Sequence, residues 1–127
     1  MKFWMQTSRG KQFDYGEPYD LDLTIEDIAR PLSYLPRFSG HANFHLTVAE
    51  HSLVVSKWCE PYGALVSLHA LLHDAHEAFT GDMPGPFKAY IAHEYGVDIS
   101  QIQATYQVNI LAALNVPLLD DLRDVEL

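Results

Sequence analysis

Hydrophobic and polar positions along this chain follow two patterns, and the change comes near residue 24. Residues 3–15, FWMQTSRGKQFDY, carry short aromatic-rich runs on either side of a Ser-Arg-Gly-Lys turn, which predicts a β-hairpin. A two-stranded hairpin is marginal alone, so it is expected to pack on helices. After a loop, GEPYDLD, the apolar spacing becomes three and four residues, the period of an α-helix. Thr24 reads as an N-cap with Asp27 three residues on, and the helix it opens, IEDIARPLSYL, contains Pro31, which should kink or end it. Residues 36–46 hold Pro, Gly and Asn and read as loop. Thr47 with Glu50 forms a capping box for the helix VAEHSLVVSKWCE, which sets Val48, His51, Val55 and Trp58 on one face. Pro61 and Gly63 break the chain, and the stretch 64–82 reads as one long helix with the stripe Leu65, Leu68, Leu72, Ala75 and Phe79. The run Gly81 to Pro86 stops it. Two more helices are expected over 87–95 and 99–114, with Gly96 between them.

The expected fold is therefore all-α, a helical bundle with a small N-terminal β-hairpin. Its 127 residues suit one domain, with hairpin and loop over 1–23 and a helical core over 24–127.

Polar residues interrupt this pattern where a core helix has least use for them. His69, His73 and Glu77 lie one turn apart along 64–82, and Asp74 follows His73 about 100° further round. Imidazoles and carboxylates inside an apolar run need a partner, because burying charge unpaired costs several kcal/mol. Imidazole and carboxylate together suit Zn²⁺, Mn²⁺, Co²⁺ or Fe²⁺ better than Ca²⁺. The plainer alternative is a helix with a wet polar face. His51 points where the core should be, and a core histidine donating to a backbone carbonyl is its plainer reading. The short 61–63 connection makes the two helices antiparallel neighbours, which brings His51 within reach of His73 and Asp74.

Composition narrows the partners. Seventeen acidic and eight basic residues give a net charge of −9, with no Lys/Arg cluster of the kind that displaces counterions from a nucleic-acid duplex. No run approaches the ~18 apolar residues of a membrane span. The first residues, MKFWMQTSRGK, lack the apolar run of a signal peptide, and the single cysteine, Cys59, fits a reducing cytoplasm. With so few cations, each one gains weight as a ligand for an anion.

Four segments, in order, resemble the HD-domain metal-dependent phosphohydrolases, and more narrowly the bacterial and phage branch similar to 5′-deoxynucleotidases. They are Arg37-Phe38, Val48-Ala49-Glu50-His51-Ser52, Leu72-His73-Asp74-Ala75-His76-Glu77-Ala78, and Thr80-Gly81-Asp82-Met83-Pro84-Gly85-Pro86-Phe87-Lys88. The resemblance implies one divalent metal ion (Mn, Co, Zn, Fe or Mg) on His51, His73 and Asp74, with Glu77 orienting or deprotonating the attacking water. It implies that Arg37 and Lys88 hold phosphate, that Phe38 lies against the sugar, and that Asp82 contacts a sugar hydroxyl. Relatives supply a fourth ligand from an aspartate three residues after a lysine. Here that spacing puts Arg123, a further phosphate contact, at the lysine and Glu126 at the aspartate, with Asp124 the next candidate. The end of the chain is then either a shortened form or is held by a partner subunit in a homo-oligomer. His69 is assigned to packing or to support of a ligand. His76, which replaces a small residue of the relatives, either tunes Glu77 or is exposed. Asp120 and Asp121 read as a solvated acidic end, and His41 and His45 flank the Arg37 loop with no assigned role.

The implied function is hydrolysis of a small-molecule (deoxy)nucleotide, with release of phosphate or triphosphate from the 5′ position. The alternative is a degenerate HD domain that binds nucleotide or metal as a regulatory module. Neither reading calls for a nucleic-acid duplex or a membrane.

Overall fold

A computed structural model describes residues 2–119. Residues 120–127, with Arg123, Asp124 and Glu126 of the expected site and the acidic pair Asp120 and Asp121, lie outside the described residues. Two short strands, β1 (Trp4–Gln6) and β2 (Gln12–Asp14), pair antiparallel with Met5 opposite Phe13. Six α-helices follow among the described residues: α1 (Ile25–Tyr34), α2 (Val48–Trp58), α3 (Ala64–Leu71), α4 (Glu77–Thr80), α5 (Gly85–Tyr95) and α6 (Ile99–Ala113). The chain is mostly helical with a small hairpin, as its periodicity indicates. No helix among the described residues is long and apolar enough to cross a membrane.

The hairpin is held by one aromatic residue. Phe13 is fully buried, stacked on Phe79 at 4.0 Å between ring centroids and edge-on to Tyr106 at 5.5 Å. Tyr106 Oη also donates to the Tyr15 carbonyl at 3.0 Å, tying α6 to the end of β2. Around Phe13 the core collects Ile28 and Leu32 of α1, Val48 of α2, Leu72, Ala75 and Phe79, and Tyr106 and Ile110 of α6.

The start of α1 is fixed by Asp27, whose buried carboxylate accepts from the Thr24 N–H at 2.8 Å and from Arg9 Nε of the hairpin turn at 3.1 Å. Pro31 does not end this helix. The helical backbone runs on to Tyr34, and Leu35 N–H still reaches the Pro31 carbonyl at 3.1 Å. Residues 36–47 then close on themselves: Arg37 N–H donates to Leu46 O at 2.8 Å and Val48 N–H to Leu35 O at 2.9 Å. Inside this loop Phe38 and Ser39 both take left-handed backbone angles, φ 56° and 54°, costly for residues with a Cβ.

Helices α2 and α3 are antiparallel, because Ser56 pairs with Ser67 at 3.0 Å while His51, earlier in α2, meets His73, later in the chain. Three expectations need correction here. Trp58, expected on the inward face of α2, is 70% exposed; α2 packs instead through Val48 and Ser52, through Val55 toward Cys59, and through Ser56 on Ser67. In α3 the buried positions are Val66 and Ala70, packed with Cys59, rather than the Leu65–Leu68 stripe. Most importantly, 64–82 is not one helix. After Leu71 the chain tightens into three-residue turns, with Ala75 N–H on Leu72 O at 3.0 Å and Glu77 N–H on Asp74 O at 2.9 Å, before α4 begins. The stripe phase changes at that point, which is why Leu72, Ala75 and Phe79 reach the main core and Leu68 does not.

Candidate metal centre and adjoining cleft

The break at 72–76 sits where His73 and Asp74 face α2. His73 Nε2 lies 2.9 Å from Asp74 Oδ2, and His51 Nε2 lies 3.7 Å from the same oxygen. One ligand atom from each of the three residues falls within 4.8 Å of the others. An ion bonded at ~2.0–2.1 Å sets adjacent ligand atoms about 3–3.4 Å apart, so this donor set fits a divalent first-row metal with small adjustment.

The protonation of the ion-free site makes the same point. His73 Nδ1 lies 2.6 Å from the Ala70 carbonyl, so that nitrogen donates, which leaves Nε2 as the atom facing the carboxylate. Its hydrogen bond to Asp74 lifts the pKa of His73 above the ordinary imidazole value, against the opposing pull of burial. Burial alone would raise the Asp74 carboxyl, but the His73 hydrogen bond and the nearby imidazoles outweigh it and hold it below the usual range. Burial and the Arg37 charge push His51 down, so it stays neutral and free to donate a lone pair. The Nδ1 bond to a backbone carbonyl is the support that a ligating histidine ordinarily has.

Beside these three residues opens a cleft of about 410 Å³, lined by Arg37, Asp74, Glu77, Asp82 and Lys88, with Gln103 and Gln107 of α6 on the far wall. Glu77, at the start of α4, is only 6% exposed, and its Oε2 is buried without a partner. Burial first, then the hydrogen bond of its protonated form to Asp82 and the charges of Asp74 and Asp82, push its pKa up to about 9. Arg37 reaches in from the 36–47 loop: Nη1 lies 3.7 Å from Asp82 Oδ2, while Nε is buried and unpartnered. Buried polar atoms are rarely left unsatisfied, and an ion, a water or a ligand group is among the partners that such atoms take. Phe38 lies under the Arg37 guanidinium at 4.9 Å with its ring half exposed.

Lys88 is not free. Its Nζ bonds Gln103 Oε1 at 3.1 Å, and Gln103 Nε2 in turn bonds Thr80 Oγ1 at 3.1 Å, which latches the cation to the cleft wall. His69 points elsewhere, its Nε2 donating to the Pro117 carbonyl at 2.7 Å. His76 borders the cleft and bonds Gln107 at 3.0 Å through Nδ1. The sequence reading passed over Gln103 and Gln107; their signal was a pair of amides one turn apart on the face of α6 that also carries Tyr106 and Ile110.

The arrangement offers a cation site, a buried carboxylate and two cations facing one open cleft. That combination can bind an anion next to a metal and move a proton between them.

No family model matches the chain. It is 39% identical over 72% of its length to an uncharacterised protein of Rhodobacter capsulatus, of which the match covers 50%. It is 38% identical over 67% of its length to the uncharacterised protein YfdR of Escherichia coli K12, covering 46% of that protein. A protein of Pectobacterium atrosepticum named 5′-deoxynucleotidase is 39% identical over 58% of this chain and 38% of its own length. The chain thus spans about half the length or less of the curated relatives it matches, and one of them carries the name of a nucleotide phosphohydrolase.

Proposed function

We propose that this chain is an HD-type metal-dependent phosphohydrolase that acts on a small-molecule deoxynucleotide at its 5′ phosphate. The observation that carries the reading is a convergence. The ligand atoms of His51, His73 and Asp74 meet at one point, and Glu77 Oε2 and Arg37 Nε, both buried and unpartnered, lie beside that point along one cleft. The likeness to a protein named 5′-deoxynucleotidase supports the substrate class.

His51, His73 and Asp74 would hold one divalent ion. When bound, it supplies positive charge toward a phosphoryl group and makes water more acidic. The chain's own residues do the rest. Arg37 presents its guanidinium fork to phosphate oxygens, with Asp82 and the Phe38 ring holding its plane. Lys88, positioned by Gln103, adds a second cation over the leaving side, so the negative charge that grows in the transition state meets fixed positive groups. Glu77 is the base: dry and within the cleft, its carboxylate takes the proton of the attacking water. Asp82, besides steadying Arg37, accepts from a sugar hydroxyl.

A screen of phosphate and triphosphate release from deoxy- and ribonucleotides with Mn²⁺, Co²⁺, Mg²⁺ and Zn²⁺ tests this. Release should favour a deoxynucleotide and vanish in Asp74→Ala. Ion binding without release from any nucleotide would support the regulatory module instead.

A further inference from the structure

The helix break at the metal doublet has an identifiable cause. In an unbroken α-helix the N–H of residue 76 donates to the carbonyl of residue 72. Here the side chain of Gln107 stands between them. His76 N–H donates to Gln107 Oε1 at 3.1 Å, and Gln107 Nε2 donates to Leu72 O at 2.7 Å. The backbone groups settle the orientation of the amide, since a flipped amide would set NH₂ against the His76 N–H and its oxygen against the Leu72 carbonyl; His76 Nδ1, 3.0 Å from the same Oε1, then donates to it. A side chain inserted into the i→i−4 ladder is one of the few known causes of a sharp break.

The break matters because of what adjacent residues do in a helix. Consecutive side chains diverge by about 100°, which would splay His73 away from Asp74. With the chain opened at 72–76, His73 Nε2 and Asp74 Oδ2 come to 2.9 Å and both face His51. Packing does not ask for an amide at 107. Its helical neighbours on that face, Tyr106 and Ile110, are core residues, and an apolar side chain of the same length would fill the space. An amide supplies one acceptor and one donor, the pair that the separated His76 N–H and Leu72 C=O require.

We infer that Gln107 is a positioning residue: its amide replaces one backbone hydrogen bond and so holds His73 and Asp74 in the geometry that binds a divalent ion. The inference rests on the reading of His51, His73 and Asp74 as ligands. It makes Gln107 act through the doublet.

The test uses Gln107→Met, which keeps length and packing but neither hydrogen bond, and Gln107→Glu, which keeps the bonds to His76 and loses the one to Leu72. Two quantities are read: the ¹³Cα shifts of residues 72–77 in the ion-free protein, and the Kd for Co²⁺ by calorimetry. In Gln107→Met the shifts should move toward helical values and the Kd should rise roughly 10–100-fold, the range for lost support of a metal ligand. Gln107→Glu should weaken Co²⁺ less, and it decides by the same criteria if the methionine variant does not fold. Unchanged shifts, or an unchanged Kd, while the wild type binds Co²⁺ would overturn the role of Gln107 and leave the ligand assignment standing. A wild type that binds Co²⁺ no better than His73→Ala would overturn the ligand assignment and the role with it.

Discussion

Replacing Glu77 by Gln should make the ion-free protein more stable and the enzyme inert. In the folded chain burial and the neighbouring carboxylates keep Glu77 protonated up to about pH 9, against an ordinary value of 4.5 in the unfolded chain. Between those values the native state holds a proton that the unfolded state releases, so stability contributed by this group falls as pH rises. pH 7 lies about 2.5 units above the midpoint of the unfolded carboxyl, and at about 1.4 kcal/mol per unit the cost is at most about 3.5 kcal/mol. Glutamine keeps the shape and a donor toward Asp82 and has nothing to ionise. Urea denaturation of both proteins in EDTA at pH 5, 7 and 8.5 measures the difference. Glu77→Gln should be near neutral at pH 5 and more stable by about 2–3 kcal/mol at pH 7, with the gap widening further at pH 8.5 as pH approaches the folded value. With Mn²⁺, turnover should drop by roughly 10²–10⁴. A stability difference that does not change with pH would refute the assigned proton, and near-normal turnover would refute the assigned base.

Arg37→Lys keeps the charge and deletes Nε, the atom left without a partner, so binding of a non-hydrolysed nucleotide should weaken by about 1–3 kcal/mol. Lys11→Glu is the fitting control, since Lys11 pairs only with exposed Asp22; Arg9, which bonds buried Asp27, would disturb the fold instead. Equal losses at Arg37 and Lys11 would mean that diffuse charge, not a built pocket, holds the ligand. Mn²⁺ affinity should rise with pH, because the ion competes with the proton for His73, whose proton affinity Asp74 raises. In stability without added metal the two groups act in opposite directions: stability from the raised His73 is full below 6.5 and is lost as pH climbs past its folded value, while that from the lowered Asp74 is full above 3.8 and is lost toward acid. Mn²⁺ titrations at pH 5.5 and 7.5 decide, and equal affinities would contradict the proton displacement.

The capping residues Thr24, Asp27, Thr47 and Glu50 and the stops at Gly81 and Gly96 were legible in the sequence because they act over three or four residues. The hairpin was legible for the same reason, and the inward turn of His51 toward His73 followed from a short connection. What local pattern could not show was the break at 72–76. Every residue from Leu65 to Phe79 fits a helix by itself, and the group that opens it is Gln107, distant in sequence. The same limit explains Trp58, whose exposure depends on which helices come near it, and Lys88, whose partner Gln103 is on another helix. Of the two outcomes expected at Pro31, a kink or an end, the end does not occur: only three helical residues follow it, and the core contacts of Ile28 and Leu32 on either side outweigh one lost hydrogen bond.

The charge of the site explains why a doubly charged ion fits it in a chain of net charge −9. Asp74, Glu77 and Asp82 crowd one cleft, and the cations that answer them are Arg37, bound to Asp82, and Lys88, turned toward Gln103. The remaining imbalance raises the proton affinity of His73 through Asp74 and keeps Glu77 protonated up to about pH 9, at a cost that grows with pH. On the proposed function, a divalent ion on His51, His73 and Asp74 would add positive charge beside Glu77 and favour its carboxylate form, the form that a general base needs.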